Sequence, residues 1–204
     1  MRIDPHTGLL DVARQVASPN WDERPAGCPI DLAVVHGISL PPCEFGGPWI
    51  DALFTNTLDP EVHPYFREIH QLKVSSHLLI RRDGELVQYV PFHKRAWHAG
   101  VSCFEGRERC NDFSIGIELE GCDFQPYEPL QYQRLGEVLG ALMAAYPGIN
   151  PARIAGHCDI APGRKVDPGP FFEWPRLYAA LGVEPPADRG TTLVAGDGTP
   201  PRQG

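Results

Sequence analysis

The sequence predicts an α/β fold, a single domain with a central mixed β-sheet flanked by helices. Strand-like and helix-like patterns are interleaved along the chain, with no internal repeat. A length of 204 residues suits one domain, and an apolar fraction of 42% is enough for one substantial core.

The first thirty or so residues are rich in Pro, Asn, Asp and Gly, which predicts a segment wrapping the surface. "IDLAVVHGISL" (Ile30 to Leu40) holds a short, β-branched apolar run. It predicts a buried strand with His36 at its carboxyl end. "PPCEFGGPW" follows as an ordered loop, its prolines and glycines excluding regular structure. In "HPYFREIHQL" (His63 to Leu72) the spacing of Phe66, Ile69 and Leu72 predicts a short helix. "KVSSHLLIRRDGELVQYV" (Lys73 to Val90) reads as a hairpin turning at Asp83-Gly84. "FSIGIELEG" (Phe113 to Gly121) alternates, with Phe113, Ile115, Ile117 and Leu119 on one face and Gly116, Glu118 and Glu120 on the other.

"EPLQYQRLGEVLGALMAAYPG" (Glu128 to Gly148) gives the strongest helical signal. Pro129 suits its first turn, Leu135, Val138, Leu139 and Leu142 form a stripe, and Pro147-Gly148 stops it. "RIAGHCDI" (Arg153 to Ile160) reads as a brief extended segment, and "FFEWPRLYAALG" (Phe171 to Gly182) as a final helix with Pro175 near its start. Beyond Gly182 the composition turns to Pro, Gly, Thr and Asp. Residues 1–182 are therefore expected to form the domain, with 183–204 a disordered tail.

A formal net charge of −8 argues against general binding to nucleic acid or to anionic membranes. It leaves room for a local basic pocket drawn from Arg107, Arg109, Arg164 and Lys165. No stretch approaches the roughly 18 uninterrupted apolar residues of a membrane span. The amino-terminal stretch lacks the pattern of a signal peptide, so a cytoplasmic protein is expected. In that setting the six cysteines, which form no CxxC, are expected to be reduced and mostly packed.

Hydrolytic zinc sites take about three protein ligands and keep one position open for water. His36, His157 and Asp167 would satisfy this, each at a strand end or in a loop where distant parts of a chain can converge. Spacing alone does not choose them. His6, His63, His70, His77, His93 and His98 compete, and Cys158 is a chemically good ligand that extended geometry would point away from the face used by His157.

Four strings, "VVHGISLPPCEFGGPW", "VSSHLLIRRDGELVQYVPFHKRAWHAG", "RERCNDFSIGIELEG" and "GHCDIAPGRKVDPGP", resemble in order the zinc-dependent N-acetylmuramyl-L-alanine amidase family. The likeness is strongest to its cytoplasmic branch acting on 1,6-anhydro-muropeptides, and it runs from about Asp31 to Tyr178. It implies the amidase fold shared with peptidoglycan-recognition proteins. It also implies one Zn²⁺ per chain on His36, His157 and Asp167, with Glu118 as catalytic acid–base and Lys165 as partner of the oxyanion. The implied substrate is a small anhydro-muropeptide, with Trp97 packing against sugar or peptide and Arg109 pairing with a stem-peptide carboxylate.

Alternation puts Glu118 and Glu120 on one face, so only the family pattern selects Glu118, leaving Glu120 as a solvated strand residue. His77 and His98 are expected to be packed or to support a ligand. Gly37 and Cys43 depart from the Asn and Gly usual in the family, and Gly37 predicts the loss of a polar contact beside the site. A non-catalytic peptidoglycan-binding module on the same fold is the second reading. It is disfavoured because all three ligand positions, Glu118 and Lys165 are present. An exported amidase of broader specificity is disfavoured by the missing signal sequence.

Overall fold

The computed structural model describes residues 1–187; positions 188–204 of the expected tail lie outside the described residues. Among the described residues ten strands occur in chain order: β1 (Arg14–Gln15), β2 (Trp21–Asp22), β3 (Leu32–Ile38), β4 (Leu78–Ile80), β5 (Leu86–Gln88), β6 (Arg95–Ala96), β7 (Cys103–Phe104), β8 (Arg107–Glu108), β9 (Ser114–Glu120) and β10 (Ile154–Gly156). Six build the main sheet, in the order β1-β5-β4-β9-β3-β10. Strands β4, β9, β3 and β10 are mutually parallel, and β5 runs antiparallel to β4. The sheet is therefore mixed, as expected. β2 with β6 and β7 with β8 form two small antiparallel ribbons.

The central pair β3 and β9 fixes the geometry of everything that follows. Their parallel register sets His36 directly beside Glu118. Side chains alternate along each strand. Ala33, Val35, Ile115, Ile117 and Leu119 join one core cluster, whereas Leu32 and Val34 join another. His36 and Glu118 share the second face, at the carboxyl ends of the parallel strands, where α/β sheets characteristically place ligands.

Helix α3 (Pro129–Ala145) and helix α5 (Trp174–Leu181) cover the first face. Pro129 sits in the opening turn of α3, where its missing N–H costs nothing, and the Gln131 side chain accepts from the Glu128 N–H at 3.0 Å. The expected stripe is buried: Leu135, Val138, Leu139 and Leu142 are all fully covered, each contributing about 1.5–3 kcal/mol. Gly136 lets the two helices close, since a Cβ there would lie 3.0 Å from the Ala180 backbone. Pro175 falls in the first turn of α5, and Gly182 ends that helix with φ +69°.

The second face is covered by α1 (Trp49–Phe54) and α2 (Pro64–Ile69), which bury Leu53, Phe54 and Phe66 against Leu79 and Val87. Helix α2 fulfils the expectation of a short helix within 63–72 but ends at Ile69, leaving Leu72 beyond it and exposed, and the His63 ring caps it by accepting from the Tyr65 N–H at 3.1 Å. Helix α1 takes over where the predicted loop ends. The hairpin turns at Asp83-Gly84 as expected, with Gly84 at φ +82° and Asp83 accepting from the Glu85 N–H at 3.0 Å.

Three expectations need correction. Arg153 to Ile160 is not extended throughout, because β10 stops at Gly156 and His157–Ile160 form a one-turn helix, α4. The Asp159 carboxylate drives this by accepting from the Gly156 N–H at 2.5 Å. Glu120 is not solvated: it is 2% exposed and bound into an ion-pair network. Nor are the cysteines all reduced, since Cys43 and Cys122 form a disulfide across a sequence separation of 79. The two surface loops that carry them meet with Cα atoms 5.4 Å apart, within the ordinary span of the bond.

Candidate metal centre and active site

A cleft opens at the carboxyl ends of the parallel strands. His36, Glu118, His157, Lys165, Asp167 and Trp97 all line it. His36 comes from β3 and Glu118 from β9. His157 is the first residue of α4, carried by β10. Asp167 arrives on the loop after α4, where the Cys158 N–H donates to the Asp167 carbonyl at 2.9 Å.

Three donor atoms converge. His36 Nδ1 and His157 Nδ1 are 3.0 Å apart, and Asp167 Oδ2 lies 3.2 Å from the first and 3.0 Å from the second. A tetrahedral zinc ion with bonds of about 2.0–2.2 Å would set such atoms roughly 3.3 Å apart. The triangle and its two-imidazole, one-carboxylate composition therefore fit that ion. Among the described residues this is the grouping of His, Cys, Asp and Glu that could hold a metal.

The surroundings prepare these donors. Burial pushes the His36 imidazole down to about 4, so it presents a neutral ring with a lone pair to share. Burial opposes ionisation of Asp167, yet hydrogen bonding to His157 and His36 outweighs it and holds the carboxyl below its ordinary value. The opposite nitrogen of His157, Nε2, lies 3.2 Å from the Ala99 carbonyl. A carbonyl only accepts, so Nε2 carries the proton and Nδ1 faces the triangle. Arg164 donates to the same Ala99 carbonyl at 2.7 Å and to that of Val101 at 2.6 Å, clasping the loop that orients His157.

Glu118 is a buried carboxyl at the edge of the triad. It is 8% exposed, its Oε2 has no hydrogen-bond partner, and it faces the triad across the β3–β9 register. Burial raises its pKa well above the ordinary value, the Asp167 charge adds to the rise, and the Lys165 ammonium opposes it. Lys165 itself is exposed and lines the cleft. Glu120, two residues on, is fully committed elsewhere. Its Oε1 accepts from the Gly46 N–H at 2.7 Å and from Arg81 at 3.4 Å, and its Oε2 from the Arg82 N–H at 3.2 Å. It ties the loop before α1 to β9.

Trp97 is a half-buried wall of the cleft, and its backbone N–H donates to Ser75 Oγ at 3.1 Å. Arg109 lies outside that cleft, in an adjoining depression that shares Arg164 with it, and is 71% exposed beside Asp112. Arg107 pairs with Asp31 at 2.6 Å, which leaves Lys165, Arg164 and Arg109 as the local basic character.

Two glycines carve the site. At Gly116 a Cβ would lie 2.4 Å from the His98 ring, and at Gly37 it would lie 2.3 Å from the Tyr127 hydroxyl. That hydroxyl reaches through the gap to donate to the Pro168 carbonyl at 2.8 Å, one residue beyond Asp167. The space left at Gly37 is thus taken by the Tyr127 hydroxyl. Nothing in the sequence marks Tyr127 for this task. The Cys43–Cys122 pair also lines the cleft.

Residues 26–170 match the family model described as N-acetylmuramoyl-L-alanine amidase. The chain is 62% identical over 179 residues to the 1,6-anhydro-N-acetylmuramyl-L-alanine amidase AmpD of Salmonella typhimurium strain SL1344, covering 88% of this chain and 95% of that protein. It is likewise 62% identical over 177 residues to AmpD of Escherichia coli K12, covering 87% and 96%. Among solved structures, a crystal structure of a Se-Met AmpD derivative superposes with a TM-score of 0.86 at 61% identity, covering 89% of this chain and 99% of that one. A complex of the Escherichia coli amidase AmiD with anhydro-N-acetylmuramic acid-L-Ala-D-gamma-Glu-L-Lys gives 0.56 at 34% identity, covering 85% and 66%.

Proposed function

The chain belongs to the N-acetylmuramoyl-L-alanine amidase family, and from that premise we propose that it cleaves 1,6-anhydro-muropeptides. The scissile bond is the amide between the lactyl group of 1,6-anhydro-N-acetylmuramic acid and L-Ala of the stem peptide. The observation that carries this reading is the triangle of His36, His157 and Asp167 donors beside the Glu118 carboxyl, whose Oε2 has no hydrogen-bond partner. One zinc ion per chain is assigned to the triangle. Held there, it would supply Lewis acidity, lowering the pKa of water toward about 7 and polarising a carbonyl.

The residues of the chain divide the remaining work. Glu118 takes a proton from the attacking water at Oε2 as the oxygen adds to the lactyl carbonyl carbon. The same proton passes to the L-Ala nitrogen as the C–N bond breaks, leaving a lactyl carboxylic acid and a peptide amine. Burial raises the Glu118 pKa, which makes its carboxylate a stronger base for the first transfer and lets it keep the proton until the second. Lys165 sets a positive charge beside the oxyanion that develops between the two steps. Trp97 offers a flat apolar wall for sugar or peptide, and Arg109 an exposed guanidinium for a stem-peptide carboxylate beyond the cleft.

Residues 1–182 are the proposed catalytic domain. No helix among the described residues is long and apolar enough to cross a membrane. We place the protein in the cytoplasm and in peptidoglycan recycling, where it would also lower the muropeptides that induce β-lactamase.

Mass spectrometry of products from paired anhydro- and reducing-end muropeptides tests the reading. Peptide release from the anhydro form alone is expected. Equal cleavage of both would indicate an amidase of broader specificity, and binding without cleavage a recognition module.

A further inference from the structure

We propose that His98 is a positioning residue of the metal centre, fixing the His36 imidazole in the tautomer that turns its Nδ1 lone pair toward His157 and Asp167. The inference rests on the reading of the triad as a zinc site.

The direction of a hydrogen-bonded chain can be worked out from its far end. The Cys110 backbone carbonyl only accepts, so the Ser114 hydroxyl donates to it, at 2.5 Å. Ser114 Oγ then has only lone pairs left to offer the His98 ring, whose Nε2 lies 3.2 Å away. His98 Nε2 therefore carries the proton. In a neutral imidazole the other nitrogen must then accept, and His98 Nδ1 sits 2.9 Å from His36 Nε2. The His36 proton is thus held on Nε2, and Nδ1 is bare where the three donors meet.

His98 is itself held rigidly. Its backbone N–H and that of Ala99 both donate to Asn111 Oδ1, at 3.2 and 2.8 Å. Its ring occupies the gap over Gly116 and meets His36 edge-on, with centroids 5.0 Å apart and planes at 87°. A partner fixed this way orients a ligand and raises its basicity, and losing such a partner typically costs about 10–100-fold in metal affinity. The other imidazole, His157, is oriented by the Ala99 carbonyl, so the segment from His98 to Ala99 serves both.

The test measures zinc affinity of the full chain by competition with a chromophoric chelator, and the visible spectrum of the cobalt-substituted protein. His98→Ala is expected to bind zinc about 10–100-fold more weakly and to shift the cobalt bands. His98→Asn, whose Oδ1 can accept from His36 Nε2, is expected to recover most of that loss. Long-range nitrogen–proton NMR of the zinc-loaded wild type is expected to show His98 protonated at Nε2, which checks the inference even if His98→Ala misfolds. Wild-type zinc binding with His98→Ala unchanged in affinity and spectrum would overturn the positioning role alone, as would a proton on His98 Nδ1. A wild type that binds no zinc would overturn the reading of the site and this inference with it.

Discussion

Glu118 and Glu120 stand two residues apart on one strand face, and replacing each by Ala should produce opposite defects. Glu118 Oε2 makes no hydrogen bond, so truncation removes no partner and relieves a buried carboxyl. Stability should change by less than about 1 kcal/mol, while loss of the acid–base group should reduce kcat by about 10²–10⁴-fold. Glu120 is the reverse. Breaking a buried ion pair costs about 3–5 kcal/mol; the low end applies because Arg81 retains Asp51 at 3.3 Å. Leaving the Gly46 and Arg82 N–H groups without their acceptor adds about 1 kcal/mol each. The total of about 5 kcal/mol corresponds to a Tm lowered by roughly 10–20 °C in a domain of this size. Steady-state hydrolysis of an anhydro-muropeptide, measured well below both melting points, together with thermal unfolding of the zinc-loaded proteins, separates the cases. The reasoning fails if Glu118→Ala keeps more than a tenth of wild-type kcat, or if Glu120→Ala melts with the wild type yet has lost its turnover.

Asp167→Ala should weaken zinc binding by more than the 10–100-fold typical of an outer partner, because a donor atom is lost; metal content after dialysis against a chelator measures this, and retention of full zinc counts against the assignment. Reducing Cys43–Cys122 frees a loop spanning 79 residues and should destabilise the fold by up to about 4.5 kcal/mol, or roughly 9–18 °C in Tm. Melting curves with and without reductant, with peptide mapping of the pair, test that, and identical curves for mapped oxidised and reduced forms would refute it. In zinc-free protein the raised Glu118 pKa means the folded state binds more protons than the unfolded one above the ordinary value of 4.5. Stability from this group is present at low pH and is lost as pH rises through the raised value. The Tm advantage of Glu118→Gln over wild type should therefore grow with pH, and a constant difference from pH 5 to 8 would contradict it.

Much of this site is legible in the amino-acid sequence, and the unreadable parts share a cause. The strand ending near His36 and the alternation of 113–121 follow from local apolar pattern, as does the hairpin at Asp83-Gly84. Such patterns survive folding because they are set by neighbours a few residues away. Glu118 and Glu120 cannot be separated on those grounds, since a period of two treats them alike. What separates them is Arg81 and the loop at Gly46, which are remote in sequence. The one-turn helix at His157 is too short to show a helical period. The Cys43–Cys122 pairing depends on two loops meeting across the cleft, which no spacing rule encodes.

Gly37 and Gly116 contribute no atoms to the chemistry, yet the Tyr127 hydroxyl and the His98 ring need the space they leave. The centre is specified by voids as well as by donors. A transplant of the three ligands onto another scaffold would have to carry both holes and the two side chains that plug them. By the same logic, Gly116→Ala and Gly37→Ala remove nothing from the inventory of functional groups, yet each would displace a support that acts on one ligand.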